Sequence, residues 1–129
     1  MEVFNAVAEV LSSDLVSTHN TNLNSKKEQI ISYYEGAGPD YFAWSKNYNM
    51  HFGYYENGMN PFSLEPMLER LTWEVLQRLE IEKNSESHVA DFGCGLGASL
   101  RYCAKQYPQA KLKGVTIVPW QVEQGKQSE

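Results

Sequence analysis

With 129 residues, 42% of them hydrophobic, and a formal net charge of -5, the chain has the size and balance of one domain with a modest core. The acidic balance, and the scatter of Lys26, Lys27, Lys83, Arg101, Lys105, Lys111 and Lys113 among acids, exclude a nucleic-acid surface. The opening stretch from Met1 to Leu11 lacks a basic leader region and is broken by Glu2 and Glu9, so it reads neither as a signal peptide nor as a membrane span. A cytoplasmic protein with no integral membrane segment is expected. Cys94 and Cys103 have no companions for a disulfide framework or a zinc site, so no metal is expected.

In chain order, Val3, Ala6, Val7, Val10 and Leu11 share one helical face and predict a short amphipathic helix over residues 1–11. Ser12 to Ser25, rich in Ser, Thr and Asn, reads as a linker. A helix is predicted over Lys26 to Tyr34, stopped by Gly36-Ala37-Gly38-Pro39, with one further turn over Asp40 to Trp44. Nine of the chain's sixteen aromatic residues fall between Tyr33 and Tyr55, and most of them are expected in the core. The alternative is a wall over a ligand crevice, for which Asn49 to Glu56 is the best-placed segment, since ring faces suit a cationic group.

A scaffold helix then begins at Ser63 as its cap, with Pro66 in the first turn. Leu64, Met67, Leu68, Leu71, Val75 and Leu79 form its apolar stripe; Glu65, Glu69, Arg70, Glu74, Gln77 and Arg78 form its polar face. A polar connector leads to a strand over residues 88–92 and a glycine loop. A helix over Ser99 to Tyr107 follows, ended by Pro108, then a strand over Lys111 to Ile117 and a helix from Pro119 to Glu129. This succession predicts a parallel, right-handed β-α-β unit and an α/β fold.

The loop Asp91-Phe92-Gly93-Cys94-Gly95-Leu96-Gly97-Ala98 is the feature with chemistry in it. Three glycines at alternate positions are costly in chain entropy, and they point to unusual dihedrals or close backbone approach to a ligand at the strand's carboxyl end. As Gly93-x-Gly95-x-x-Ala98 the loop fits a dinucleotide fingerprint, which asks for an acid about 20 positions on, where Thr116 stands. As Asp91-x-Gly93-x-Gly95-x-Gly97 it resembles motif I of the class I methyltransferases that use S-adenosylmethionine.

Flanking segments extend that resemblance. Met50-His51-Phe52-Gly53-Tyr54-Tyr55 is similar to the segment that precedes the core in the tocopherol, sterol and cyclopropane-fatty-acid branch, where it closes over the cofactor. Gly114-Val115-Thr116-Ile117-Val118-Pro119-Trp120-Gln121 is similar to that branch's Gly-(Val/Ile)-Thr-Leu-Ser-x-x-Gln pattern, with Val118 in place of serine. The resemblance covers most of residues 48–121 and leaves the first 40 or so out. It implies a partial Rossmann-like fold, with residues 1–62 as a helical and aromatic cap and 63–129 as the start of the cofactor-binding domain, incomplete at its carboxyl end. It further implies S-adenosylmethionine as cofactor, held by Gly93, Gly95 and Gly97 beside its methionine portion. Asp91 would orient the amino group, and Thr116 with Gln121 would face the ribose and adenine. Met50 and Cys94 join this set.

His51 is a candidate contact or base, against the commoner role of a hydrogen-bonded structural histidine. Cys94 reads first as a small residue in a tight place and only then as a reactive thiol. The acceptor implied is a small molecule or lipid-like compound. Two other readings are kept: a non-catalytic module that oligomerises through exposed sheet edges, and a nicotinamide-dependent oxidoreductase fragment.

Overall fold

The computed structural model describes residues 20–84 and 86–127. The helix predicted over 1–11, and the linker as far as His19, lie outside them. The described elements are α1 (Asn20–Ala37), a 3-10 turn (Gly38–Asp40), α2 (Tyr41–Trp44), α3 (Leu64–Gln77), β1 (His88–Phe92), α4 (Ala98–Gln106), β2 (Lys111–Val115) and α5 (Pro119–Gln127). None of the described helices is long and apolar enough to cross a membrane.

β1 and β2 pair in parallel, with Val89 beside Leu112 and Asp91 beside Gly114. This α/β arrangement is the predicted Rossmann-like β-α-β unit. Its core is Leu76, Leu100, Cys103, Tyr107 and Leu112 together with Cys94. β2 stops at Val115, two residues short of the prediction. The Val115 carbonyl accepts from the backbone N–H of Gly93 (2.7 Å) and Cys94 (3.1 Å), so the ladder ends in the glycine loop.

Three expectations are corrected. α1 starts at Asn20, inside the predicted linker, and runs past Gly36. Ser, Thr and Asn each cost only about 0.5 kcal/mol in a helix, and extension from an established segment is favourable, so the polar run is carried along. Ser63 holds the cap position of α3 without a side-chain capping bond. Its helix buries Leu68, Thr72 and Leu76, whereas Val75 and Leu79, assigned to the buried stripe, are 55% and 51% exposed. The ridge at i, i+4, i+8 makes the contact, and the chain leaves the helix at Arg78 before Leu79 can join it.

Third, none of the nine clustered aromatics is buried, and Phe52 is 83% exposed. The stretch from Lys46 to Tyr54 is tied to α3. Glu65, placed on the solvent face by periodicity, accepts from the Lys46 backbone N–H at 2.7 Å and from Asn49 Nδ2 at 3.4 Å. The Tyr54 N–H donates to the Met67 carbonyl at 2.8 Å. Anchored by its backbone, the segment turns most of its rings outward.

The 3-10 turn that follows α1 meets α5 at a tight contact. A Cβ on Gly38 would overlap the ring of Trp120 in α5. Gly38→Ala is therefore expected to destabilise the chain by about 1–3 kcal/mol. At roughly 4 °C per kcal/mol, a thermal melt reads this directly, and an unchanged midpoint would refute the contact.

Candidate functional site

The site lies at the carboxyl ends of β1 and β2, where open α/β sheets gather ligands. Gly93, Gly95 and Gly97 all have positive φ, at +90°, +56° and +78°, a region closed to most side chains. The loop is thereby folded back on itself, with the Gly97 N–H donating to the Cys94 carbonyl at 2.8 Å before α4 begins. A Cβ on Gly95 would stand 3.2 Å from Met50 Sδ, so the Met50 segment approaches the loop closely. Arg101 of α4 fixes that approach by donating to the carbonyls of Leu96 (2.5 Å) and Asn47 (2.8 Å).

Between loop and segment is a cavity of about 610 Å³. Asp91, Gly93, Cys94 and Gly95 line it from the loop, Met50 and His51 from the overlying segment, and Thr116 and Gln121 from the far end. Gly97 does not reach it; its part is to start α4. Ile30, Tyr34, Tyr48 and Val118 line it as well; the sequence counted Tyr34 and Tyr48 only within the aromatic cluster and Val118 only as the place of a missing hydroxyl, and assigned none of the four to the site. Ile30 and Tyr34 lie one turn apart on α1, in the stretch that the resemblance leaves out. The aromatic wall is thus Tyr34, Tyr48 and Phe92, not Phe52, Tyr54 and Tyr55.

Asp91 carries the site's charge. Among the described residues its carboxylate has no hydrogen-bond or ion-pair partner, and partial burial alone pushes its pKa above the ordinary value. The wall contains no Lys or Arg. Burial, and then the neighbouring Asp91 charge, push the Cys94 thiol up to about 11, so it is a thiol at neutral pH and no nucleophile. Its sulfur is in the core against Gly114, as a small residue in a tight place should be.

At the far end, the Thr116 hydroxyl donates to Gln121 Oε1 at 2.6 Å and accepts from the Val118 N–H at 3.2 Å. Gln121 is buried, and its Nε2 points toward Met50 Sδ at 3.9 Å. Val118, where a serine hydroxyl is usual, is itself buried. His51 has both ring nitrogens engaged: Nδ1 lies 2.8 Å from the Phe52 carbonyl and Nε2 3.3 Å from Thr72 Oγ1. A carbonyl only accepts, so Nδ1 carries a proton, while the single Thr72 hydroxyl proton has two acceptors in reach, His51 Nε2 and the Leu68 carbonyl at 3.4 Å.

No protein-family model matches the chain, and no solved structure matches it. Curated proteins do. (+)-O-methylkolavelool synthase of Herpetosiphon aurantiacus is 27% identical over 119 residues, 91% of this chain and 38% of that protein. A probable chloroplastic tocopherol O-methyltransferase of Oryza sativa subsp. japonica is 33% identical over 107 residues, 77% of this chain and 28% of that protein. The O-methyltransferase cnsE of Penicillium expansum is 38% identical over 74 residues, 57% of this chain and 26% of that protein. The chain is a relative of methyltransferases. It spans between about a quarter and two-fifths of the length of the curated relatives it matches. The methyltransferase match to the rice protein covers more of this chain than the Met50 segment, glycine loop and Thr116 region together occupy.

Proposed function

We propose that the chain binds S-adenosylmethionine in the 610 Å³ cavity and is the donor-binding part of a methyltransferase for a small-molecule or lipid-like acceptor. The observation that carries this reading is the half-buried, unpartnered Asp91 carboxylate in a cavity walled by aromatic rings and free of Lys and Arg. Such a wall fits a cationic ligand, by charge at Asp91 and by ring quadrupole at Tyr34 and Tyr48. The volume falls within the range of small-molecule sites, roughly 300–1,000 Å³. In this reading residues 1–62 are the cap and 63–129 the donor-binding body.

Bound there, the cofactor supplies a methyl group on a sulfonium. Asp91 binds the donor's ammonium group, the folded-back glycine loop gives close backbone approach, and the Thr116–Gln121 pair takes the ribose and adenine end. Tyr34, Tyr48 and Met50 exclude water. The engaged nitrogens of His51 favour a role in holding the segment over one in moving protons. Alignment and exclusion of water are the main needs of this transfer, and proximity alone is worth roughly 7–11 kcal/mol of barrier.

Calorimetric titration of the 129-residue chain with S-adenosylhomocysteine tests the reading, with NAD as control. Saturable binding of the former, absent for NAD and lost in Asp91→Ala, is expected. No heat from a chain shown by circular dichroism to be folded would overturn it.

A further inference from the structure

Tyr48 has a left-handed backbone, with φ at +58°. An aromatic residue is a genuine outlier there, because its Cβ crowds the neighbouring carbonyl. Such strain persists only where the surroundings over-determine it, and around Tyr48 they do.

Both peptide planes that define its dihedral angles are pinned. In the plane before it, the Tyr48 N–H donates to the Ser45 carbonyl at 3.0 Å, and the Asn47 carbonyl accepts from Arg101 Nη2 at 2.8 Å. In the plane after it, the Asn49 N–H donates to Ser45 Oγ at 3.0 Å. Glu65, in the first turn of α3, fastens the same turn: its carboxylate accepts from the Lys46 N–H and from the side-chain amides of Asn47 (3.5 Å) and Asn49 (3.4 Å). Ser45 and Asn49 are buried, at 1% and 4% exposure, so the bond between them is shielded from water.

The strain has a geometrical consequence. Tyr48 lines the cavity, its ring tilted against Phe42 at 5.5 Å between centroids, and the chain runs on into Met50 and His51, which line the same cavity. Neither Glu65 nor Arg101 lines it.

We propose, on the cofactor reading above, that Glu65 and Arg101 are positioning residues: by holding Tyr48 at positive φ they set where its ring, and the Met50–His51 backbone after it, stand over the glycine loop. Released from this clamp, Tyr48 relaxes to the ordinary negative φ, which swings its Cα–Cβ bond and redirects the residues that follow. Arg101 also holds the Leu96 carbonyl, so its loss disturbs the loop directly. Among the described residues Glu65 makes no bond to that loop, which makes it the cleaner probe.

The strain is read without ligand. Tyr48→Gly and Tyr48→Ala both lack the ring, and only glycine enters the left-handed region freely, so Tyr48→Gly is expected to melt roughly 2–6 °C above Tyr48→Ala. The positioning role is read in affinity. Glu65→Gln keeps the shape but sets an amide N–H against a donor, and is expected to weaken S-adenosylhomocysteine binding about 3- to 10-fold, as is Arg101→Met, by about 10-fold. A purely structural role would lower the melting temperature and leave the affinity of the folded chain unchanged. In the Tyr48→Gly background, where neither ring nor strain remains, the effect of Glu65→Gln on affinity is expected to shrink to about twofold or less.

Should one clamp variant prove unfolded by circular dichroism, the other decides. Tyr48→Ala melting at or above Tyr48→Gly, wild-type affinity in a folded clamp variant, or an equal loss from Glu65→Gln in both backgrounds would each overturn the proposal. A wild-type chain that binds no S-adenosylhomocysteine overturns the cofactor reading and this one with it, whereas a wild type that binds, with clamp variants that bind as tightly, overturns this one alone.

Discussion

The Asp91→Asn protein is expected to melt at a higher temperature than the wild type at pH 7, and to bind S-adenosylhomocysteine about 10- to 100-fold more weakly. Partial burial raises the folded-state pKa of Asp91 above its unfolded value. The folded state therefore holds the proton more tightly than the unfolded state does. As pH rises from the unfolded pKa through the folded one, the wild type loses stability, and at neutral pH the full cost is present. Asparagine keeps the shape and removes the charge. The gain in melting temperature should shrink as pH falls toward the ordinary carboxylate range, and vanish where Asp91 is protonated in both states.

Binding should move in the opposite direction. A hydrogen bond to a charged group is worth roughly 1.5–3 kcal/mol, which gives the stated loss in affinity. Paired thermal melts between pH 3 and 8 and titrations at pH 7 measure both arms. Affinity retained in Asp91→Asn would remove the carboxylate from the site, whatever the melts show.

Gly114→Ala should be the most damaging single methyl in the β-α-β unit. The added Cβ would stand 2.7 Å from Cys94 Sγ and 2.8 Å from Leu100 Cδ1. Leu100 is almost fully buried and Cys94 nearly so, which leaves little room to yield. A cost of about 1–3 kcal/mol is expected, with weaker ligand binding because Cys94 can retreat only by moving the glycine loop. Cys94→Ala should relieve part of this, since it removes the sulfur and leaves a Cβ at 3.2 Å. A double-mutant cycle measured by thermal melts should therefore show coupling of about 0.5–3 kcal/mol. Additive costs would mean that Leu100, not Cys94, makes the contact that matters.

The β1–loop–α4–β2 run was legible because its signals are local. Period-two alternation marks the strands, the three glycines admit φ values that other residues resist, and Pro108 and Pro119 bound the helices. Asp91, Gly93, Gly95, Thr116 and Gln121 were singled out through the resemblance of the glycine loop and of residues 114–121 to methyltransferase segments, and all five line the cavity. Its roof was not legible in the same way. Glu65 sits on a helix face that periodicity assigns to water, yet its carboxylate fastens a loop from elsewhere in the chain. Arg101 reads as a solvated helix residue until its partners on Leu96 and Asn47 are seen. The aromatic run between Tyr33 and Tyr55 has the composition of a core without any period to say which rings turn inward, and the backbone anchors decide it. Ile30 and Tyr34 do share a helical face, and that i, i+4 spacing was the one available sign of the wall they form.

The bonds that hold roof to floor span long stretches of chain. Arg101 reaches Asn47 across 54 residues, and Gln121 approaches Met50 across 71. Closing a loop of that length costs about 4 kcal/mol of chain entropy before any contact repays it. The strands and α4, joined by short connections, can form without meeting that cost. Assembly is therefore expected to follow an order, floor before roof, with the cavity among the last features to form. A ligand that touches both Asp91 and the Met50 segment spans the same long loop, so it acts on the folding equilibrium as a cross-link does, and its concentration sets how often the roof is down.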